Sequence, residues 1–221
     1  MKNKEEKIEF LEQLDKISDK YINVLSQLAL DKDINIRCKV AELLINARGK
    51  NYRKILINLA KDKDSLVRTE AYDSLCVYPC KKVEKLLERA MKEEKDELAC
   101  SYAIMSWGDV VYEIYDDIID KINVIDEIRN RKLIIDSEQC MLSCEYVCYL
   151  FGINNSFERI IAFENSNDYH IRCSVINILC DILDEDNEHE IRGILNEVIV
   201  KEKVFAVKSC AEKVLAMLNS R

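Results

Sequence analysis

Proline occurs once in these 221 residues and glycine four times, against usual shares of about 5% and 7%. An all-β fold needs special turns every 8–12 residues or so, and so few breakers exclude it. The four glycines, Gly49, Gly108, Gly152 and Gly193, stand singly, so no glycine-rich loop can cradle a phosphate. Two histidines, His170 and His189, leave little general-base chemistry, and neither G-x-S-x-G nor H-E-x-x-H occurs. The N-terminal run from Met1 to Lys7 is charged with no apolar stretch behind it, so no signal peptide is expected. No segment approaches the ~18 continuous apolar residues of a membrane span. What is there is 48% hydrophobic and 33% charged, the composition of a folded, all-α chain.

Ten cysteines without a leader read as reduced thiols in the cytoplasm. Cys140, Cys144 and Cys148 form a stripe on one helix face. A soft metal could use such a stripe, but structural zinc wants short paired loops or histidine, and core packing is the expectation. No metal and no cofactor is called for. Charge is uneven: residues 1–108 hold 21 basic and 19 acidic side chains, residues 109–221 hold 12 and 22. Two carboxylate clusters, 109–127 and 181–190, lack the spacing of a calcium loop. An acidic half repels a phosphate backbone and attracts a basic partner.

Three segments align: Leu28 to Arg37, Leu59 to Arg68, and Phe163 to Arg172. Each carries a polar turn with aspartate, then a β-branched residue and arginine. An apolar skeleton at i, i+4, i+7, i+8 follows, as in Ile36, Val40, Leu43 and Leu44 or Ile171, Val175, Ile178 and Leu179, marking one buried helix face. Weaker copies begin at Ala99, Cys140 and Val207. Gly49, Pro79, Gly108 and Gly152 follow successive second helices as expected stops, spaced 30, 29 and 44 residues apart. The pattern predicts a helical hairpin repeated six times, with a capping helix over 4–16 and an enlarged fourth repeat over 109–136. That long segment is expected to break near Asn123. Residues 1–221 read as one continuous domain.

The motifs Asp31/Asp33 with Arg37, Asp62/Asp64 with Arg68, and Asp168 with Arg172 resemble the HEAT-repeat family of α-solenoids. The resemblance implies a right-handed α-α superhelix in which Asp31, Arg37, Asp62, Arg68, Asp168 and Arg172 form a hydrogen-bonded ladder between repeats. Lys208 can imitate the arginine in the last unit. Cys100 and Met141 cannot, so the ladder is expected to lapse in repeats three and four. The resemblance also places the second helices on a concave binding face.

On that face the register predicts Lys39 and Glu42, Glu70 and Asp73, Tyr102 and Met105, Ser143 and Tyr146, and Ser174 and Asn177, with Tyr149 and Asp181 nearby; Glu145 is expected as a further charged contact. Aromatic residues and methionine flanked by carboxylates suit a protein interface, whereas a nucleic-acid face would be rich in lysine and arginine. The expectation is a non-catalytic, monomeric, cytoplasmic binding scaffold for a basic protein, with no nucleic acid and no membrane. Its concrete form is a bacterial inhibitor or immunity-type protein. The alternative the resemblance allows is a HEAT-like enzyme of the DNA glycosylase or bilin lyase type.

Overall fold

Aspartate N-caps start the second helices. In the computed structural model, which describes residues 3–14 and 17–219, Asp33, Asp64, Asp96 and Asp168 each turn a carboxylate oxygen onto a backbone N–H of the first turn. This satisfies a donor that the helix leaves unpaired. The resulting helices are α3 (Ile34–Leu43), α5 (Ser65–Leu75), α7 (Glu97–Ile114) and α12 (Tyr169–Asp181). Before them come α1 (Lys4–Glu12) and α2 (Ile22–Leu28), and between them α4 (Lys50–Leu59) and α6 (Lys81–Glu93). After α7 follow α8 (Ile119–Arg129), α9 (Lys132–Ile135) and α10 (Glu138–Leu150). The chain then runs through α11 (Ser156–Ala162), α13 (Glu188–Lys201) and α14 (Phe205–Asn219). No strand occurs among the described residues. None of their helices is long and apolar enough to cross a membrane.

The chain divides into two compact units, residues 1–147 and 148–221. In the first, α3 packs on α5 and α5 on α7, while α4 and α6 complete hairpins with α5 and α7. The α1 helix packs on α3 and buries Leu11; residues 15–16 of the expected capping helix lie outside the described residues. The core follows the repeating skeleton: Ile36, Val40 and Leu44, then Val67, Ala71 and Leu75, then Ala99, Ala103 and Trp107, all essentially without solvent exposure. In the second unit α14 packs on α12 and α13, burying Ile171, Leu179, Ile191, Leu195 and Ala211. The N–H of Ile153 bonds the Cys148 carbonyl and that of Gly152 the Tyr149 carbonyl, with Gly152 left-handed at φ 68°. That is the paired C-terminal cap for which glycine is preferred.

Two expectations need correction. Gly108 does not stop a helix; α7 runs through it to Ile114. A Cβ at Gly108 would lie 2.6 Å from Val147 Cγ2, so this glycine lets α10 approach α7 closely. The enlarged repeat does not break at Asn123, which lies inside α8. The break falls at residues 115–118, where the Tyr115 hydroxyl reaches back to the buried Glu84 carboxylate at 2.9 Å and the Asp117 carboxylate accepts the Ile119 N–H.

Candidate functional site

Second helices are held in register by one recurring arrangement. Arg37 makes two hydrogen bonds, 2.8 and 2.9 Å, to the Asp62 carboxylate of the next hairpin, and its Nη1 donates to the Asp31 carbonyl of its own turn. Arg68 repeats this with Glu94 at 2.8 Å twice and with the Asp62 carbonyl. In the second unit Arg172 does so with Glu202 and the Ser166 carbonyl. Each accepting carboxylate also receives a backbone N–H two residues on, at Asp64, Asp96 and Val204. Such forked, charge-assisted pairs are the strong ones. Burial raises the Glu94 carboxyl, but the Arg68 fork and the backbone donors overcome it and hold it at about 2. Arg172 first, then the Val204 N–H, holds Glu202 at about 2. Asp168 stands outside these pairs: its carboxylate caps α12 through the His170 N–H.

This framework sets a row of side chains on α5 and α7 of the first unit. Glu70 and Asp73 are half-buried there. Among the described residues, no cation comes within ion-pair distance of either carboxylate. Burial pushes the Glu70 carboxyl up, with Asp73 and Glu42 adding to the shift and Lys39 opposing it from beyond ion-pair distance. Burial also raises Asp73. The neighbouring Tyr102 hydroxyl is raised by burial, then by Asp73 and Glu70. Cys76 is pushed up to about 12 by burial, then by Asp109 and Asp73. Met105 lies half-buried one turn along α7 from Tyr102. The row is thus a partly desolvated, electronegative face whose carboxylates are poorly compensated, with Lys39 engaged at its edge by Glu42 at 2.9 Å. Such a face favours a cationic group that desolvates together with it.

The other expected residues are used differently. Glu145 is 2% exposed and binds Arg129 at 2.5 Å, so its charge is spent inside the first unit rather than presented to a partner. Tyr146 is also buried, its hydroxyl donating to Asp109 at 2.7 Å. In the second unit the Tyr149 hydroxyl accepts from Asn187 at 3.0 Å and its ring packs by Phe157. Asn177 and Asp181 are exposed on α12. Cys140, Cys144 and Cys148 have no solvent exposure. The Cys140 hydrogen bond and then Arg131 hold the Cys100 thiol below its usual value. Among the described residues no three histidine, cysteine or acidic side chains gather as a metal site. His170 stacks on Tyr169 at 3.9 Å.

Sequence reading missed Glu94 and Glu202 as acceptors, because the aligned turns carry aspartate. The signal was present: each sits two residues before the place where the next helix begins or is capped. It also missed Arg131, whose Nη2 donates to the Glu94 carbonyl at 3.1 Å and whose Nη1 lies 3.7 Å from Cys100 Sγ.

No family model matches this chain, and no curated protein matches it. Among solved structures, a crystal structure of an engineered protein is similar at 14% identity. That match covers 92% of this chain and 98% of the other, with a TM-score of 0.41, too low to carry an argument.

Proposed function

We propose that this chain is a HEAT-like helical-repeat scaffold that binds a basic segment of another protein, with α5 and α7 presenting the docking face. One observation carries the reading. Glu70 and Asp73 are half-buried carboxylates whose charged form burial disfavours, with no cation within ion-pair distance among the described residues. Burying charge without a partner costs free energy, and a lysine or arginine from a partner would recover it. Tyr102 and Met105 supply apolar contact beside the charges, the mix found at interface cores. Catalysis is not part of this reading.

In its most concrete form the scaffold is an inhibitor or immunity-type protein that covers a basic nuclease-like domain by steric occlusion and charge complementarity. Glu145 and Tyr146 drop out of the contact set. Asn177 and Asp181, exposed on α12 of the second unit, are left out of the contact set. The test is affinity capture from the native host at low and at high salt, with mass-spectrometric identification. A basic protein recovered at low salt and released at high salt supports the reading; recovery of apolar partners insensitive to salt overturns it.

A further inference from the structure

The first helices of the first unit carry the opposite charge from α5 and α7. A groove of about 510 Å³ is lined by Ile57 and Ala60 at the end of α4 and by Leu86 and Ala90 on α6. Around these apolar side chains stand Lys61, Lys82, Lys85 and Lys95, with Arg68 and Arg89. Lys82, Lys85 and Arg89 fall at i, i+3 and i+7 of α6, one stripe of the helix. The two arginines are already engaged, Arg68 by Glu94 at 2.8 Å and Arg89 by Glu93 at 3.1 Å. The four lysines are exposed, and among the described residues no carboxylate lies within ion-pair distance of any of them. Glu93 and Glu94 also line the groove, each already paired with one of the two arginines, so the four lysines leave it net positive and favour an anion.

The chemistry of the groove narrows the choice of anion. A compact phosphate is best held by a free guanidinium fork, and both forks here are occupied. Single-stranded nucleic acid binds by stacking bases on exposed aromatic rings. The one ring in this groove, Tyr72, is 4% exposed and turns its hydroxyl to the Ala60 carbonyl and the Glu94 carboxylate. What remains is a narrow apolar strip, with Leu86 half-buried and the edges of the largely buried Ile57, Ala60 and Ala90, inside a rim of flexible ammonium groups. We propose that this groove docks an acidic segment of a partner protein that also carries apolar side chains. The carboxylates would meet Lys61, Lys82, Lys85 and Lys95, and the apolar side chains would cover Ile57, Leu86 and Ala90. The site is separate from the Glu70/Asp73 face and does not depend on it.

The experiment is fluorescence anisotropy on the full chain with a labelled peptide of about twelve residues that places glutamate and leucine on a helical pattern. Two companion peptides replace leucine by serine or glutamate by lysine. The glutamate/leucine peptide is expected to bind, to weaken as salt rises, and to lose roughly tenfold or more in affinity, about 1.4 kcal/mol, against Lys82→Glu/Lys85→Glu. These lysines are exposed, so circular dichroism should show the fold retained. Binding should be unchanged in Glu70→Gln/Asp73→Asn, which separates a failure here from a failure of the basic-partner face. No binding up to about 1 mM, about −4 kcal/mol, overturns the proposal. So does binding that ignores the lysine reversals. Equal binding by the serine peptide, or displacement by an equal concentration of duplex oligonucleotide, would make the groove a general polyanion site and overturn it as well.

Discussion

Arg131 donates through Nη2 to the backbone carbonyl of Glu94 at 3.1 Å, the place that a different arginine fills in the other capped hairpins. Arg37 binds the Asp31 carbonyl, Arg68 the Asp62 carbonyl and Arg172 the Ser166 carbonyl. Each of those arginines stands four residues after its helix-capping aspartate, and each carbonyl two residues before it. In α7 the equivalent position is Cys100, fully buried, and the enlarged fourth repeat brings Arg131 beside its sulfur. The lapse expected at Cys100 is therefore covered on its own-turn side from elsewhere in the chain. Arg131→Ala would strip the Glu94 carbonyl and the Cys100 thiol of that donor, and should lower stability by about 1–3 kcal/mol. Urea unfolding checks this against Arg89→Ala, which breaks only an exposed pair and should cost under about 1 kcal/mol. Equal costs for the two variants would contradict a structural role for Arg131.

Gly108 and Gly193 make a matched pair with opposite expected signs. Both lie inside helices, where alanine is intrinsically better than glycine by about 1 kcal/mol. A Cβ at Gly193 meets nothing within 4 Å, whereas at Gly108 it would meet Val147 Cγ2 at 2.6 Å with Cβ and Cγ1 at 3.3 Å. Valine is stiff at χ1, so it cannot swing clear. Gly193→Ala should stabilise by up to about 1 kcal/mol, and Gly108→Ala should destabilise by about 1–3 kcal/mol. Adding Val147→Ala to the second variant should recover part of the packing strain. Thermal denaturation of the three variants reads all of these signs.

Acid should loosen both units through the same pairs. Glu94 and Glu202 stand at about 2 in the folded chain against 4.5 for the ordinary carboxyl. A carboxyl whose folded value is depressed contributes stability that is fully present above the unfolded value and lost as pH falls toward the folded one. The window is therefore from about 4.5 down to about 2, and solvent screening keeps the stability at stake well below the full value of the shift. Urea midpoints at about pH 6 and pH 3 should differ more for the wild type than for Glu94→Gln. Identical differences would show that the Arg68–Glu94 pair does not set the acid limit.

Glu70 and Asp73 carry the reverse sign. Their folded values are raised, by burial first in both, so ionisation at neutral pH costs the fold free energy, and the cost is relieved as pH falls through the folded value. Glu70→Gln/Asp73→Asn should therefore raise stability at pH 7 while removing partner binding. That trade is characteristic of functional positions. A loss of stability in this double variant would mean that the carboxylates hold the repeats together instead.

Much of the helical framework was legible because it rests on local rules. The aspartate-containing turns at Asp33, Asp64 and Asp168 marked the junctions before second helices, and the i, i+4, i+7, i+8 skeleton named the buried face. What stayed hidden depends on neighbours distant in sequence. Gly108 carries the same local signal as a helix stop, and only the approach of Val147 makes it a packing glycine. Glu145 is expected as a charged contact for a partner but meets Arg129, sixteen residues away. Glu94 and Glu202 accept through a side chain one methylene longer than aspartate, which a search for identical residues passes over. The unbalanced carboxylates at Glu70 and Asp73 were named from register, while their desolvation is visible only in the packed structure.

The docking face is tested most directly by running the affinity capture in parallel with two baits, the wild-type chain and Glu70→Gln/Asp73→Asn, at low salt. A basic protein held by the wild-type bait and depleted roughly tenfold or more on the double variant, about 1.4 kcal/mol of binding free energy, is the expected result. Equal recovery of that protein on both baits would contradict the assignment of Glu70 and Asp73 as the groups that bind it.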